Sequence, residues 1–165
     1  MGNGRAYVFL GSATGLVLGA ELAGMADMGE FGWCVAGGGD IDGDGYSDIL
    51  VGAPAEREGA GRVYAFLGRA GGDVSAPASV LAAVGTDGFG ASVAFVGDTD
   101  LDGRTDVIVG APGSFGSGER AIIYRGIDGG VDPFALIELG GPDGGAFGFA
   151  VAFHSLSLPN WDSLS

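Results

Sequence analysis

The stretch Asp40–Pro54, DIDGDGYSDILVGAP, sets Asp40, Asp42, Asp44 and Asp48 within nine residues and then turns apolar without a break. Carboxylates this close repel one another where water screens them poorly, so such a loop is costly unless a cation lies among them. The chain has little positive charge of its own to supply. Its basic residues are all arginines, seven against 21 acidic residues, for a formal net charge of −14. That balance argues against nucleic acid or anionic membrane as partners, because both would be repelled, and it favours divalent cations or simply solubility.

Working outward from this stretch, the same pattern returns. FGWCVAGGGDIDGDGYSDILVGAP, from Phe31, aligns without a gap with FGASVAFVGDTDLDGRTDVIVGAP, from Phe89, and a third copy opens at Phe147 with FGFAVAF. The spacing is 58 residues each time. A second block recurs as GRAYVFLG from Gly4, GRVYAFLG from Gly61 and ERAIIYRG from Glu119. The block at Gly4 is thus the later half of an incomplete unit. This reading is preferred to a secretory leader, which the early arginine and apolar middle of the segment would also suit.

The 36 glycines follow no three-residue period and therefore mark tight turns between short strands. Helical periodicity is confined to Leu16–Met28, where Gly19 and Gly24 weaken it. No apolar run reaches the roughly 18 residues of a membrane-spanning helix, so no membrane insertion is expected. Alternating and short apolar runs predict strands at Phe31–Ala36, Asp48–Gly52, Arg62–Leu67 and Ser79–Ala83. They return at Ala91–Val96, Asp106–Gly110, Ala121–Tyr124 and Phe134–Glu138.

Four short strands per unit predict an all-β fold, a partial β-propeller of about two four-stranded antiparallel blades with incomplete blades at both ends. Residues 1–30 supply the later strands of one incomplete blade. Residues 31–88 and 89–146 each form a repeat, and 147–165 a truncated start of a third with a divergent tail. In that tail the positions matching the second loop's aspartates are Leu156, Leu158, Asn160 and Leu164, so no third acidic loop is expected. Stacked repeats bury their faces against neighbours, so the remaining blades of a larger chain, or self-association, are expected to cover the ends.

Phe31-Gly32 with Gly52-Ala53-Pro54, and Phe89-Gly90 with Gly110-Ala111-Pro112, resemble the FG-GAP repeat family, the unit of the β-propeller at the N-terminal end of integrin α chains and of many bacterial surface proteins. The resemblance implies a calcium loop of the form Asp-x-Asp-x-Asp-Gly-x-x-Asp between the first two strands of a blade. Its ligands would be Asp40, Asp42, Asp44, the main-chain carbonyl of Tyr46, and Asp48. In the second repeat they would be Asp98, Asp100, Asp102, the carbonyl of Arg104, and Asp106. It further implies a secreted, extracellular or cell-surface protein with a structural, binding or cell-adhesion role, meeting another protein or a glycan through its loops. Alternatives are an accessory propeller module of a secreted hydrolase and a lectin-like carbohydrate binder.

The spacing has its own physical logic. Calcium takes six to eight oxygens, and alternate residues of a tight loop can turn several carboxylates inward, with Gly45 and Gly103 at the sharp bend. Magnesium demands a stricter octahedron and is the weaker candidate. An EF-hand is excluded because position twelve is Val51 or Val109 in place of glutamate, and the flanks read as strands. Asp and Gly also make ordinary solvated turns, but two loops matching at all four aspartates favour two calcium sites.

No catalytic residue is expected. His154 precedes Ser155 without a nucleophile-elbow sequence, and four carboxylates around an ion leave no room for an activated water. Cys34 reads as a small buried apolar residue, and Phe31, Phe89 and Phe147 as plugs between neighbouring blades. Glu56-Arg57-Glu58 reads as a solvated turn. Trp33, Tyr46 and Trp161 do not recur together and read as ordinary aromatic packing.

Overall fold

A computed structural model describes residues 4–25, 29–74, 76–84, 88–113, 118–141 and 147–152. The divergent tail with His154, Ser155 and Trp161 lies outside these residues. Ten strands and no helix occur among the described residues, so none is long and apolar enough to cross a membrane.

The strands are β1 (Arg5–Ser12), β2 (Gly15–Ala23), β3 (Cys34–Gly39), β4 (Asp48–Ala53) and β5 (Arg62–Phe66), then β6 (Ser79–Leu81), β7 (Ser92–Gly97), β8 (Asp106–Ala111), β9 (Arg120–Ile127) and β10 (Gly130–Gly140). They form one antiparallel pair, β1-β2, and two four-stranded antiparallel sheets in the orders β3-β4-β5-β6 and β7-β8-β9-β10. This is an open piece of a β-propeller. The weakly helical stretch Leu16–Met28 is strand β2 as far as Ala23, where Gly19 tolerates close contact with Leu10 and pairing with β1 overrides helix propensity.

The first four-stranded sheet is buried on both faces, which is why β4 reads as a continuous apolar run. Leu50, Val63 and Ala65 face the second blade and pack with Val107, Val109, Ile122 and Tyr124. Alternate residues Val51, Tyr64 and Phe66 face the β1-β2 hairpin and pack with Leu22 and Phe31. Period-two alternation therefore builds two cores between sheets. Phe31 meets Tyr64 and Phe66 edge-on at centroid distances of 5.2 and 6.3 Å, and Phe89 meets Tyr124 at 6.1 Å.

The joints between units repeat as faithfully as the sequence. Gly32, Gly90 and Gly148 take φ of +87°, +88° and +81°, and each presses its Cα against the carbonyl of Arg5, Arg62 or Arg120 respectively. A side chain there would meet both a disfavoured backbone conformation and a backbone oxygen. Gly52 in turn abuts the carbonyl of Gly90, and Gly110 abuts that of Gly148. Cys34 Sγ donates to the Gly90 carbonyl at 3.1 Å, and Ser92 Oγ donates to that of Gly148 at 2.8 Å.

Several features differ from expectation, among them β9, which runs for eight residues where four were expected. The first strand of the first repeat begins at Cys34, three residues later than Phe31, because Phe31-Gly32-Trp33 forms the turn closed by Trp33 N–H to the Glu30 carbonyl at 3.0 Å. β10 runs for 11 residues where five were expected, and it carries Pro133, which is tolerated because the strand is at an edge and its register shifts between Val131 and Ala135. Glu56 is 1% exposed rather than solvated. Tyr64 O–H lies 2.8 and 2.7 Å from its two oxygens and Arg62 donates at 3.4 Å, while Arg57 and Glu58 turn the chain at φ of +54° and +61°.

Candidate metal centre

Both acidic loops join the first two strands of a four-stranded sheet, β3 to β4 and β7 to β8. The first aspartate organises each loop. Asp40 Oδ1 accepts from the Asp44 N–H at 3.1 Å and Oδ2 from the Gly45 N–H at 2.9 Å. Asp98 does the same with Asp102 at 3.0 Å and Gly103 at 2.8 Å. Tyr46 N–H donates to Asp44 Oδ1, and Arg104 N–H to Asp102 Oδ1, both at 2.9 Å. Tyr46 and Arg104, expected to offer carbonyls, thus stand at the same point of the same turn.

The last aspartate bolts the loop to the sheet. Asp48 is fully buried and accepts from Ile41 N–H at 2.5 Å and Gly68 N–H at 2.8 Å. Asp106, also fully buried, accepts from Thr99 N–H and Gly126 N–H at 3.0 Å each, and additionally from the Thr99 hydroxyl. Burial pushes the Asp48 carboxyl above its ordinary pKa. The Ile41 and Gly68 amides oppose that rise, and the charges of Asp42 and Asp40 add to it. The first loop is short of positive charge.

Carboxylate oxygens of Asp40, Asp42 and Asp48 converge within 4.8 Å of one another, as do those of Asp98, Asp100 and Asp102. Asp44 stands outside the first trio and Asp106 outside the second. Asp44 is turned to Tyr46 N–H and to Arg69, whose guanidinium lies 2.8 Å from Asp44 Oδ2 and 3.2 Å from Asp42 Oδ2. In the second loop Arg125 lies 2.8 Å from Asp100 Oδ2 and Arg104 3.2 Å from Asp102 Oδ2. Sequence reasoning missed Arg69 and Arg125, and foresaw only the carbonyl of Arg104, because these side chains do not recur at matched positions: 58 residues beyond Arg69 is Ile127.

The donor set fits a hard divalent cation. Asp42 has a side chain only 6% exposed, and its Oδ1 is buried with no hydrogen-bond partner. A buried carboxylate oxygen without a donor is costly, and a metal ion is one of the few groups able to satisfy it inside a cluster of acceptors. Hard oxygens on a loop held from behind by main-chain amides suit calcium better than a softer, nitrogen-seeking metal.

Residues 31–66 and 89–124 each match the FG-GAP repeat family model. The chain is 42% identical over 128 residues to integrin alpha-IIb of Homo sapiens, covering 74% of this chain and 12% of that protein. It is 38% identical over 130 residues to integrin alpha-5 of Xenopus laevis, covering 74% and 12%. With integrin alpha-4 of Xenopus laevis it shares 34% identity over 166 residues, covering 96% and 15%. The chain therefore spans a small part of the length of these curated relatives. The matched segments hold both Phe-Gly turns, and Gly52 of the first abuts Gly90 of the second; with these matches and relatives, the chain belongs to the FG-GAP repeat family.

Proposed function

We propose that this chain is a calcium-stabilised propeller segment of an extracellular or cell-surface protein, with a binding or adhesive role and no enzymatic one. Asp40, Asp42 and Asp48 would hold one cation and Asp98, Asp100 and Asp102 the other, with Asp44, Asp106 and the carbonyls of Tyr46 and Arg104 as further oxygen donors. The ion would supply the positive charge each loop lacks, locking it between two strands. The observation that carries this reading is the buried, partnerless Oδ1 of Asp42 within a trio of converging carboxylates.

The adhesive part rests on the similarity to integrin alpha chains, which span far more than this segment. A partner protein or glycan would meet the loops between strands, since the inner strands β4, β5 and β8 are occupied by packing between sheets. The test is a calcium titration by calorimetry, with thermal unfolding in calcium and in chelator. Two binding events and a chelator-sensitive melting temperature are expected. Absence of calcium heat together with a melt indifferent to chelator would remove the metal from the account.

A further inference from the structure

Asp40 belongs to the first loop, yet its main chain is held by the second. Thr105 N–H donates to the Asp40 carbonyl at 2.8 Å, and Asp40 N–H donates to Thr105 Oγ1 at 3.2 Å. Thr105 sits between Arg104 and Asp106, two of the residues assigned to the second loop. Gly126, whose N–H holds Asp106, lies flat against the carbonyls of both Ile41 and Thr105, where a Cβ would come within 2.5 Å of each. Ile41 N–H in turn holds Asp48. The two acidic loops thus share one hydrogen-bonded, close-packed seam, though 65 residues separate its reciprocal pair.

We propose that Thr105 is a positioning residue that joins the two cation loops, so that filling the first loop raises the calcium affinity of the second. This rests on the calcium reading above. Asp40 offers its carboxylate to the first trio while its carbonyl and amide fix Thr105, so ordering Asp40 also orders the flank of the second loop. A loop whose flank is already fixed loses less freedom when it closes on an ion, which gives positive coupling without a change of shape. Coupling between linked sites commonly amounts to about 5–150-fold in affinity. The lower end is expected here, because only one flank is shared. Threonine suits the position because its hydroxyl accepts from Asp40 while its own amide donates back; valine has the same shape and cannot accept.

The experiment is calcium calorimetry at about 0.15 M salt, where repulsion between the two ions is largely screened. The native chain, Asp42→Ala, Thr105→Val, Thr105→Ser and the Asp42→Ala/Thr105→Val double variant are titrated, and each is checked for a cooperative thermal melt. Removing the first loop with Asp42→Ala is expected to weaken the second about fivefold in the native background and less than twofold in the Thr105→Val background. Thr105→Ser is expected to keep the cooperative isotherm of the native chain. Should Asp42→Ala fail to fold, the native and Thr105→Val isotherms suffice, since only the former is expected to be cooperative. Two independent binding steps in the native chain would overturn the coupling while leaving the calcium reading intact. No calcium heat from the native chain would overturn both.

Discussion

The loops Asp40–Asp48 and Asp98–Asp106 are built on the same hydrogen bonds, yet they differ in cover. The Asp42 side chain is 6% exposed where that of its counterpart Asp100 is 26% exposed. The second loop presses on the first through Thr105, whereas the residues 58 positions beyond Thr105 lie outside the described part of the chain. The frame of each loop is therefore set by its own aspartates, while the cover over its second aspartate differs between the two repeats. Local order and ion-holding capacity are separable properties.

Substitutions can break that comparison or sharpen it. The largest effect is expected from the bolts: Asp48→Ala orphans two main-chain amides and Asp106→Ala orphans two amides and a hydroxyl, each buried donor costing about 1–3 kcal/mol. Urea unfolding should show a loss of about 3 kcal/mol for either, with Asp106→Ala the greater. Equal, small losses would mean that the loops are not fixed to the sheets in this way.

Calcium should next distinguish ion-holding from framing. At a free concentration one hundred times its dissociation constant, one bound ion adds about 2.7 kcal/mol to stability. Asp42→Ala and Asp100→Ala should each forfeit one such increment in calcium. In chelator both variants should melt close to the native chain, because neither residue anchors the frame.

The joints offer a third contrast, since Cys34 and Ser92 donate to matched glycine carbonyls. Burial raises the Cys34 thiol from 9.0 to about 11, against hydrogen bonds with Gly52 and Val93 that lower it. Its folded pKa lies above its unfolded one, so the contribution is complete below pH 9 and is lost as pH climbs through 11. Allowing for partial exposure, the native chain should lose about 1 kcal/mol more than Cys34→Ser across that window. Comparing the two chains subtracts tyrosine titration, including that of Tyr124, which burial pushes up to about 12.

The smallest effects concern fine adjustment. Leu101 takes φ +65° and is 88% exposed, where the first loop has Gly43 at φ +75°. A left-handed leucine costs about 1–2 kcal/mol, partly offset by the greater freedom of glycine when unfolded, so Leu101→Gly should stabilise the chain by about 0.5 kcal/mol. Arg69→Met should tighten calcium at the first loop by about threefold, since a half-exposed guanidinium competes only weakly for Asp42 and Asp44.

Much of this architecture was legible in the sequence because it repeats. Strand order, the two Phe-Gly turns and the four-aspartate loops all return after 58 residues, and a pattern that returns reveals which residues share an environment. What does not return could not be read. Glu56 is buried by Tyr64 and Arg62 of its own blade, and nothing in ERE announces that. Arg69 and Arg125 reach their aspartates from unmatched positions, and the Asp40–Thr105 pair joins residues that alignment places in separate units.

The close abutment of Gly52 on Gly90, and of Gly110 on Gly148, carries a consequence for how such chains can lengthen. Each joint is assembled from one half on each of two adjacent repeats, so the phase at which a duplication starts is immaterial. Any insertion or deletion of whole 58-residue periods leaves every surviving half opposite a matching half, whereas other lengths strand two of them. Growth by recombination within the coding sequence is thereby quantised in blades, and the docking code travels with the repeat.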